Sequence, residues 1–142
     1  MTLPAEFPRP VPDGDSRPYW EGLARGELLI QRCAACGRFV FYPRSFCPHC
    51  SSDKLVWTAA RGTGVVYSYT VVHQAYGPFA GQTPFVVALI DLDEGVRMMA
   101  RITRAGRGDG GPTESVRIGA RVRVIFERID DDLTLPYFEL AE

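Results

Sequence analysis

The segments Cys33-Ala-Ala-Cys36 and Cys47-Pro-His-Cys50, separated by ten residues, contain all four cysteines of this 142-residue chain. Two Cys-x-x-Cys turns suit tetrahedral zinc, because each turn donates two thiolates. Cysteines gathered in one place favour a metal site over a disulfide framework. The spacer is short for a double-pair site, but residues 39–42 can still form a strand and a return within it. The sequence therefore predicts a zinc ribbon.

The predicted ligand set, Cys33, Cys36, Cys47 and Cys50, leaves no open coordination position. The metal is therefore expected to be structural rather than catalytic. Iron held by the same four thiolates and redox-active cysteines are the alternatives that the motif leaves open. His49 lies inside the second pair, where four thiolates already complete the shell, so we expect it to be a surface side chain.

Short apolar runs on both sides of the cysteine pairs fit a ribbon. They predict strands at residues 28–32, 39–42 and 55–58, which lead into, between and out of the pairs. Each run is too short to build a core of its own, so the metal is expected to organise this part of the chain.

A helix is predicted upstream of the ribbon, over residues 17–25, with Asp15 or Ser16 as its cap. One face of this helix is apolar and consists of Tyr19, Trp20 and Leu23. Such a stripe usually packs on the protein's own core, and a surface for a partner or ligand is the alternative.

Beyond residue 62 the sequence changes to β-branched and aromatic runs separated by turns. Five strands are predicted, at residues 65–72, 85–92, 96–102, 121–129 and 133–140. Five strands of this size suit a small closed barrel such as the OB-fold. The predicted fold class is mainly β, with an N-terminal extension and helix (1–27), a four-cysteine zinc ribbon (28–60) and a five-stranded OB-fold barrel (61–142).

Composition narrows the possible functions. Hydrophobic residues make up 46% of the chain and charged residues 23%, as in ordinary globular proteins. A formal net charge of -1, with Lys54 the single lysine, argues against a general polyanion binder. No run approaches the ~18 apolar residues of a membrane span, and residues 1–12 lack a signal-peptide pattern. We therefore expect a cytoplasmic protein.

Few side chains indicate catalysis. The sequence has two histidines and lacks a Gly-x-Ser-x-Gly elbow, a phosphate loop and a dinucleotide glycine fingerprint. His73 ends a predicted strand and precedes a Gly/Pro-containing loop at residues 74–84. It could bind a ligand or act as an acid or base, although a half-buried histidine bonded to the loop is the simpler expectation. Three arginines that surround a glycine-rich loop could hold a phosphate: Arg101, Arg104 and Arg107.

The order of these elements resembles a known family. The motif Arg17-Pro18-Tyr19-Trp20 precedes the cysteine pairs, the run Tyr67-Ser68-Tyr69-Thr70 follows them, and Ile118-Gly119 precedes a late strand. Over residues 15–140 the chain resembles an acyl-CoA-associated family. In that family a rubredoxin-like zinc ribbon is fused to an OB-fold, and the proteins are found beside thiolase-like enzymes.

The resemblance implies a non-catalytic accessory subunit. Members of the family associate with enzymes that act on acyl-CoA in lipid, steroid or polyketide metabolism. We therefore expect a hetero-oligomer with a thiolase-like enzyme (a thiolase, aldolase or synthase), structural zinc, and acyl-CoA as a possible ligand. The resemblance supplies no agreed catalytic residue, so none is assigned. The candidate contacts with ligand or partner are Tyr19, Trp20, His73, Tyr76, Phe79, Arg104 and Arg107.

Two other functions remain open at this stage. A zinc ribbon joined to an OB-fold could bind single-stranded nucleic acid, with Tyr67, Tyr69 and Phe85 as a stacking face. The acidic pI of about 6.1 and the near absence of lysine weaken this hypothesis. The chain could also be a free-standing enzyme that acts on acyl thioesters, with His73 as the base.

Overall fold

The computed structural model describes residues 8–103 and 113–141. Its elements are, in chain order, α1 (Arg17–Ala24), β1 (Leu29–Cys33), β2 (Phe39–Val40), β3 (Leu55–Ala59), β4 (Thr63–Val72), a 3-10 helix (Gly77–Gln82), β5 (Phe85–Leu92), β6 (Arg97–Ile102), β7 (Arg121–Asp130) and β8 (Leu133–Leu140). The helix and all eight strands lie within a few residues of their predicted positions. The 3-10 helix lies in a segment for which the sequence predicts plain loop.

Helix α1 begins after Ser16, which occupies the N-cap position without capping through its side chain. The Ser16 backbone N–H instead donates to Asp13 Oδ1 over 2.8 Å, and the Asp13 N–H donates to Ser16 Oγ over 3.2 Å. This reciprocal turn fixes the entry of the chain into the helix. Pro18 is tolerated there because the N–H groups of a first helical turn have no intrahelical partner.

The ribbon is a small antiparallel sheet with the strand order β2-β1-β3. Gln31 of β1 is buried and pairs with Val40 on one side and Trp57 on the other. Its side-chain amide donates to the Arg44 carbonyl over 2.9 Å and accepts from the Arg44 N–H over 3.0 Å. This double hydrogen bond fixes the segment between the cysteine pairs against the central strand.

The C-terminal strands form a closed barrel in the order β4-β5-β6-β8-β7. Strands β6 and β8 are parallel and pair Ile102 with Phe138, whereas the other neighbours are antiparallel. A closed five-stranded barrel with this order is an OB-fold. At Gly64 the strands come so close that an added Cβ would lie 2.3 Å from the Asp91 carbonyl oxygen.

One apolar core joins the helix, the ribbon and the barrel. Its most deeply buried members are Leu23 of α1, Leu28 and Ile30 at the start of the ribbon, and Val66, Val86, Ile90, Ile102, Val122 and Phe138 of the barrel. This core crosses the predicted boundary between residues 60 and 61. The boundary itself stays a prediction. Within the described ranges, no helix is long and apolar enough to cross a membrane.

Candidate metal centre

The two cysteine turns have the same backbone construction. In the first, the Gly37 N–H donates to the Cys33 carbonyl over 2.7 Å. In the second, the Ser51 N–H donates to the Cys47 carbonyl over 2.9 Å. Each turn thus bends the chain so that its two sulfur atoms point to one side.

The cysteine that begins each turn also bonds to the residue that lies just beyond the turn. The Cys33 N–H donates to the Arg38 carbonyl over 2.9 Å, and the Cys47 N–H donates to the Ser52 carbonyl over 2.7 Å. Two equivalent turns therefore face each other across the end of the ribbon, each with two thiols.

The four sulfur atoms lie within 4.8 Å of one another. Cys33 Sγ is 3.6 Å from Cys50 Sγ, and Cys36 Sγ is 3.7 Å from Cys47 Sγ. Zinc–sulfur bonds of ~2.3 Å in a tetrahedron place neighbouring sulfurs about 3.8 Å apart. The thiols are therefore spaced for one tetrahedral metal ion.

Backbone N–H groups point at two of these sulfurs. The Cys36 N–H lies 3.5 Å from Cys33 Sγ, and the His49 N–H lies 3.3 Å from Cys47 Sγ. Donation from Cys36, supported by further hydrogen bonds, lowers the pKa of the Cys33 thiol to about 6. Burial and the neighbouring cysteines raise the pKa of the Cys50 thiol to about 12, so the cluster favours one thiolate, at Cys33, before any ion binds.

The environment of the cluster is that of a structural site. Cys33 and Cys47 are buried against Val40 and Leu55, whereas Cys36 and Cys50 are exposed at the surface. With four protein thiolates on the ion, no coordination position is left for water or substrate.

Comparison with known proteins identifies the family. Residues 20–56 match the model of the ChsH2 rubredoxin-like zinc ribbon domain, and residues 57–127 match the model of the ChsH2 C-terminal OB-fold domain. The chain belongs to the ChsH2 family of zinc ribbon and OB-fold proteins. Membership in a zinc ribbon family, together with the four clustered thiols, supports structural zinc over iron or redox chemistry.

Relatives of this ChsH2-family chain differ in length. It is 39% identical over 115 residues to a DUF35 domain-containing scaffold protein of Methanocaldococcus jannaschii, covering 80% of this chain and 77% of that protein. It is 38% identical over 134 residues to a probable enoyl-CoA hydratase alpha subunit of Thermomonospora curvata, covering 94% of this chain. The chain spans only 40% of the length of that second relative.

A solved structure supports the same assignment of the fold. The chain superimposes with a TM-score of 0.81 and 36% sequence identity on a protein described as "Ltp2-ChsH2(DUF35) aldolase". The match covers 93% of this chain and 98% of the other. The similarity therefore extends over ribbon and barrel together.

A contact with a partner would need Tyr19 and Trp20 at the surface. The structure buries Tyr19 fully and Trp20 in part. Tyr19 is buried, with its ring 5.1 Å from that of Trp20 and 5.8 Å from that of Phe41. Burial raises the pKa of the Tyr19 hydroxyl above its ordinary value. Trp20 is half-buried. The aromatic stripe of α1 therefore packs mainly on the chain's own ribbon and barrel.

The loop between β4 and β5 holds three other candidates. His73 is exposed, Tyr76 is 79% exposed, and Phe79 is half-buried in the 3-10 helix. Arg104 and Arg107 lie outside the described residues. Arg101 does not extend freely into solvent, because its guanidinium lies 4.2 Å from the centroid of the Phe85 ring and donates to Gln82.

Of the proposed nucleic-acid stacking face, two of the three rings are exposed. Phe85 is buried under Arg101, whereas Tyr67 is 49% and Tyr69 37% exposed. Tyr67 lies at a bulge in β4, with the Arg97 guanidinium 3.4 Å from its ring centroid. The three rings that the sequence placed together do not share one exposed surface, because Phe85 is buried.

Proposed function

We propose that this chain is a non-catalytic accessory subunit of a thiolase-like enzyme, that is, a thiolase, aldolase or synthase acting on acyl-CoA in lipid, steroid or polyketide metabolism. The observation that carries the proposal is the structural match to the chain described as "Ltp2-ChsH2(DUF35) aldolase". The match covers 98% of the length of that chain. The similarity to a protein described as a scaffold points the same way.

The residues of the chain fit a supporting role. All four of its cysteines lie in the metal cluster, so no thiol is left to attack an acyl thioester. Cys33, Cys36, Cys47 and Cys50 would hold one zinc ion with a closed shell, which supplies folding energy rather than chemistry. A thiolate cluster of this kind suits the reducing cytoplasm, where we place the protein.

The loop between β4 and β5 is the part of the barrel that we propose for contact with the partner or with the pantetheine arm of its acyl-CoA. OB-folds bind their ligands with this loop and the neighbouring strands. Here the loop presents the largely exposed Tyr76 ring beside Pro78 and Phe79, which are half-buried. An apolar aromatic surface of this kind suits an apolar partner groove or ligand.

The test compares complexes formed by two variants of the tagged chain. Tyr76→Ala combined with Phe79→Ala is expected to reduce recovery of the partner enzyme, or its activity in the complex, without lowering zinc content. Ile118→Ala is the matched control, because Ile118 is 71% exposed and lies in the turn next to the beginning of β4, away from this loop. Normal assembly and full activity with the double variant would show that the loop is only a connection.

A further inference from the structure

The segment of residues 8–12, Pro-Arg-Pro-Val-Pro, lies across the outside of the molecule and is called here the N-terminal latch. Three prolines in five residues favour an extended polyproline II conformation. Arg9 of the latch forms an ion pair with Asp130 at the end of β7, although 121 positions separate them in sequence. The latch therefore connects the segment before α1 to the end of β7.

The latch lies along a groove that has two other walls. Trp20 and Ala24 of α1 form one wall, and the turn and strand of Asp132, Leu133 and Thr134 form the other. Arg9, Pro10 and Pro12 also line this open groove, whose volume is about 330 Å³. The latch thus borders the groove without filling it.

The chemistry of the groove matches that of the latch. Asp130 accepts the hydrogen bond of Arg9, and the charge of Asp132 also acts on its guanidinium. The half-buried Trp20 ring faces the same cavity as Pro10 and Pro12. An aromatic wall for prolines beside carboxylates for a basic residue is the arrangement by which proteins recognise polyproline II segments.

The attachment of the latch depends on side chains alone. Among the described residues, the backbone of residues 8–12 makes no hydrogen bond to the backbone of the rest of the chain. Val11 is 87% exposed, and the Arg9 side chain is half exposed. Polyproline II segments need no backbone partner because water satisfies their peptide groups. One exposed ion pair and two prolines make a contact that can open.

We propose that the groove between α1 and the β7–β8 turn is a recognition site for an extended, proline-rich segment that carries an arginine, and that its occupant is the chain's own latch. The closed latch fastens α1, and with it the ribbon that packs on α1, to the β7–β8 end of the barrel. This proposal is independent of the proposed accessory function, because it needs no partner enzyme.

Charge reversal in the full-length chain tests the contact. The readout is the indole N–H signal of Trp20 in a ¹⁵N-labelled sample, assigned by comparison with Trp57→Phe. Arg9→Glu and Asp130→Arg are each expected to shift this signal, and the double variant is expected to restore its position. Arg128→Glu is the control, because Arg128 pairs with Asp131 on the same turn and does not line the groove. An unchanged Trp20 signal in Arg9→Glu would overturn the proposal.

Binding in trans tests recognition itself. The capped peptide Pro-Arg-Pro-Val-Pro, added at millimolar concentration to the Arg9→Glu chain, is expected to move the Trp20 signal towards its wild-type position. The peptide with alanine in place of arginine is expected to bind about fivefold more weakly, as befits an exposed ion pair. No response to either peptide, or an equal response to both, would contradict arginine-dependent recognition.

The same samples show which chain supplies the occupant. A wild-type chain that sediments as a monomer supports a latch closed within one chain. A wild-type dimer that Arg9→Glu converts to monomer would overturn that assignment, because the latch of a second copy would then fill the groove.

Discussion

Gly37 and Ser51 occupy equivalent positions, one residue after each cysteine pair, and both have left-handed backbone angles, with φ of 80° and 67°. A glycine adopts this conformation without strain, whereas the Cβ of a serine makes it costly. The two turns of the ribbon are therefore alike in geometry and different in strain. Within the described ranges, Ser51 is the one non-glycine residue with positive φ.

Replacing Ser51 by glycine is expected to stabilise the zinc-bound protein. Relief of the left-handed strain stabilises the folded protein by ~1–2 kcal/mol. The greater conformational entropy of glycine in the unfolded chain offsets part of this, so the free energy of unfolding should rise by about 0.5 to 1 kcal/mol. Thermal unfolding of the zinc-loaded chain measures it. Gly37→Ala should have the opposite effect, and a lower melting temperature for Ser51→Gly would refute the explanation.

Gly64→Ala is expected to disrupt the closure of the barrel. The new Cβ would lie 2.3 Å from the Asp91 carbonyl oxygen and 3.0 Å from Leu92 Cα, both backbone atoms that cannot rotate away. Strand β4 must then shift off β5, at a cost of about 2 to 3 kcal/mol. Urea denaturation measures the loss. Gly81→Ala is the control, because its Cβ would meet open space, and equal stabilities of the two variants would contradict this account.

The stability of the barrel should depend on acid through Asp93. Two hydrogen bonds from Arg121, at 3.1 and 3.3 Å, and one from Thr63 lower the pKa of the Asp93 carboxyl below its ordinary 3.8. Because the folded pKa is the lower one, this contribution is complete above the unfolded pKa and is lost as pH falls through the folded pKa.

Asp93→Asn removes this dependence and tests it. The variant is expected to be less stable than the wild type near neutral pH, and the difference should shrink between about pH 5 and pH 2. Denaturation midpoints across this range measure the effect. Asp53→Asn, which removes an exposed carboxylate of the ribbon, controls for net charge and for the response of the thiolate cluster to acid. A difference that stays constant with pH would contradict the role of Asp93.

Loss of one thiolate should unfold the ribbon and spare most of the barrel. Cys36→Ala is expected to abolish stoichiometric zinc, because structural zinc supplies much of the folding energy of small ribbons. Metal analysis and the dispersion of NMR signals measure the two effects. His49→Ala is the control, since its backbone N–H still reaches Cys47 Sγ and its imidazole bonds to Arg38 at the surface. Freshly isolated wild-type protein without zinc would refute the metal site.

The strands and the clustering of the cysteines could be predicted because each depends on local sequence. In β7, Val122 is buried between the exposed Arg121 and Arg123, as alternation in a half-buried strand requires. The cysteine turns are equally local, since four residues and one left-handed position complete each of them. Local patterns of this kind need no knowledge of how distant parts of the chain meet.

Contacts between distant segments could not be predicted. The sequence does not distinguish Gln31 from its other polar residues. Its side-chain amide reaches the Arg44 backbone because the folded ribbon brings the two segments together. Arg9 and Asp130 meet because α1 packs beside β8. The burial of Phe85 under Arg101 is a contact of the same kind, and the stacking hypothesis did not anticipate it.

The most direct test of the accessory role is to purify the tagged chain at native expression level and identify what accompanies it. We expect a stable complex of fixed stoichiometry with a thiolase-like enzyme and one zinc ion per copy of this chain. In that complex, acyl-CoA turnover should belong to the partner. A chain that purifies without such an enzyme, or that converts acyl-CoA alone and loses this activity with His73→Ala, would contradict it.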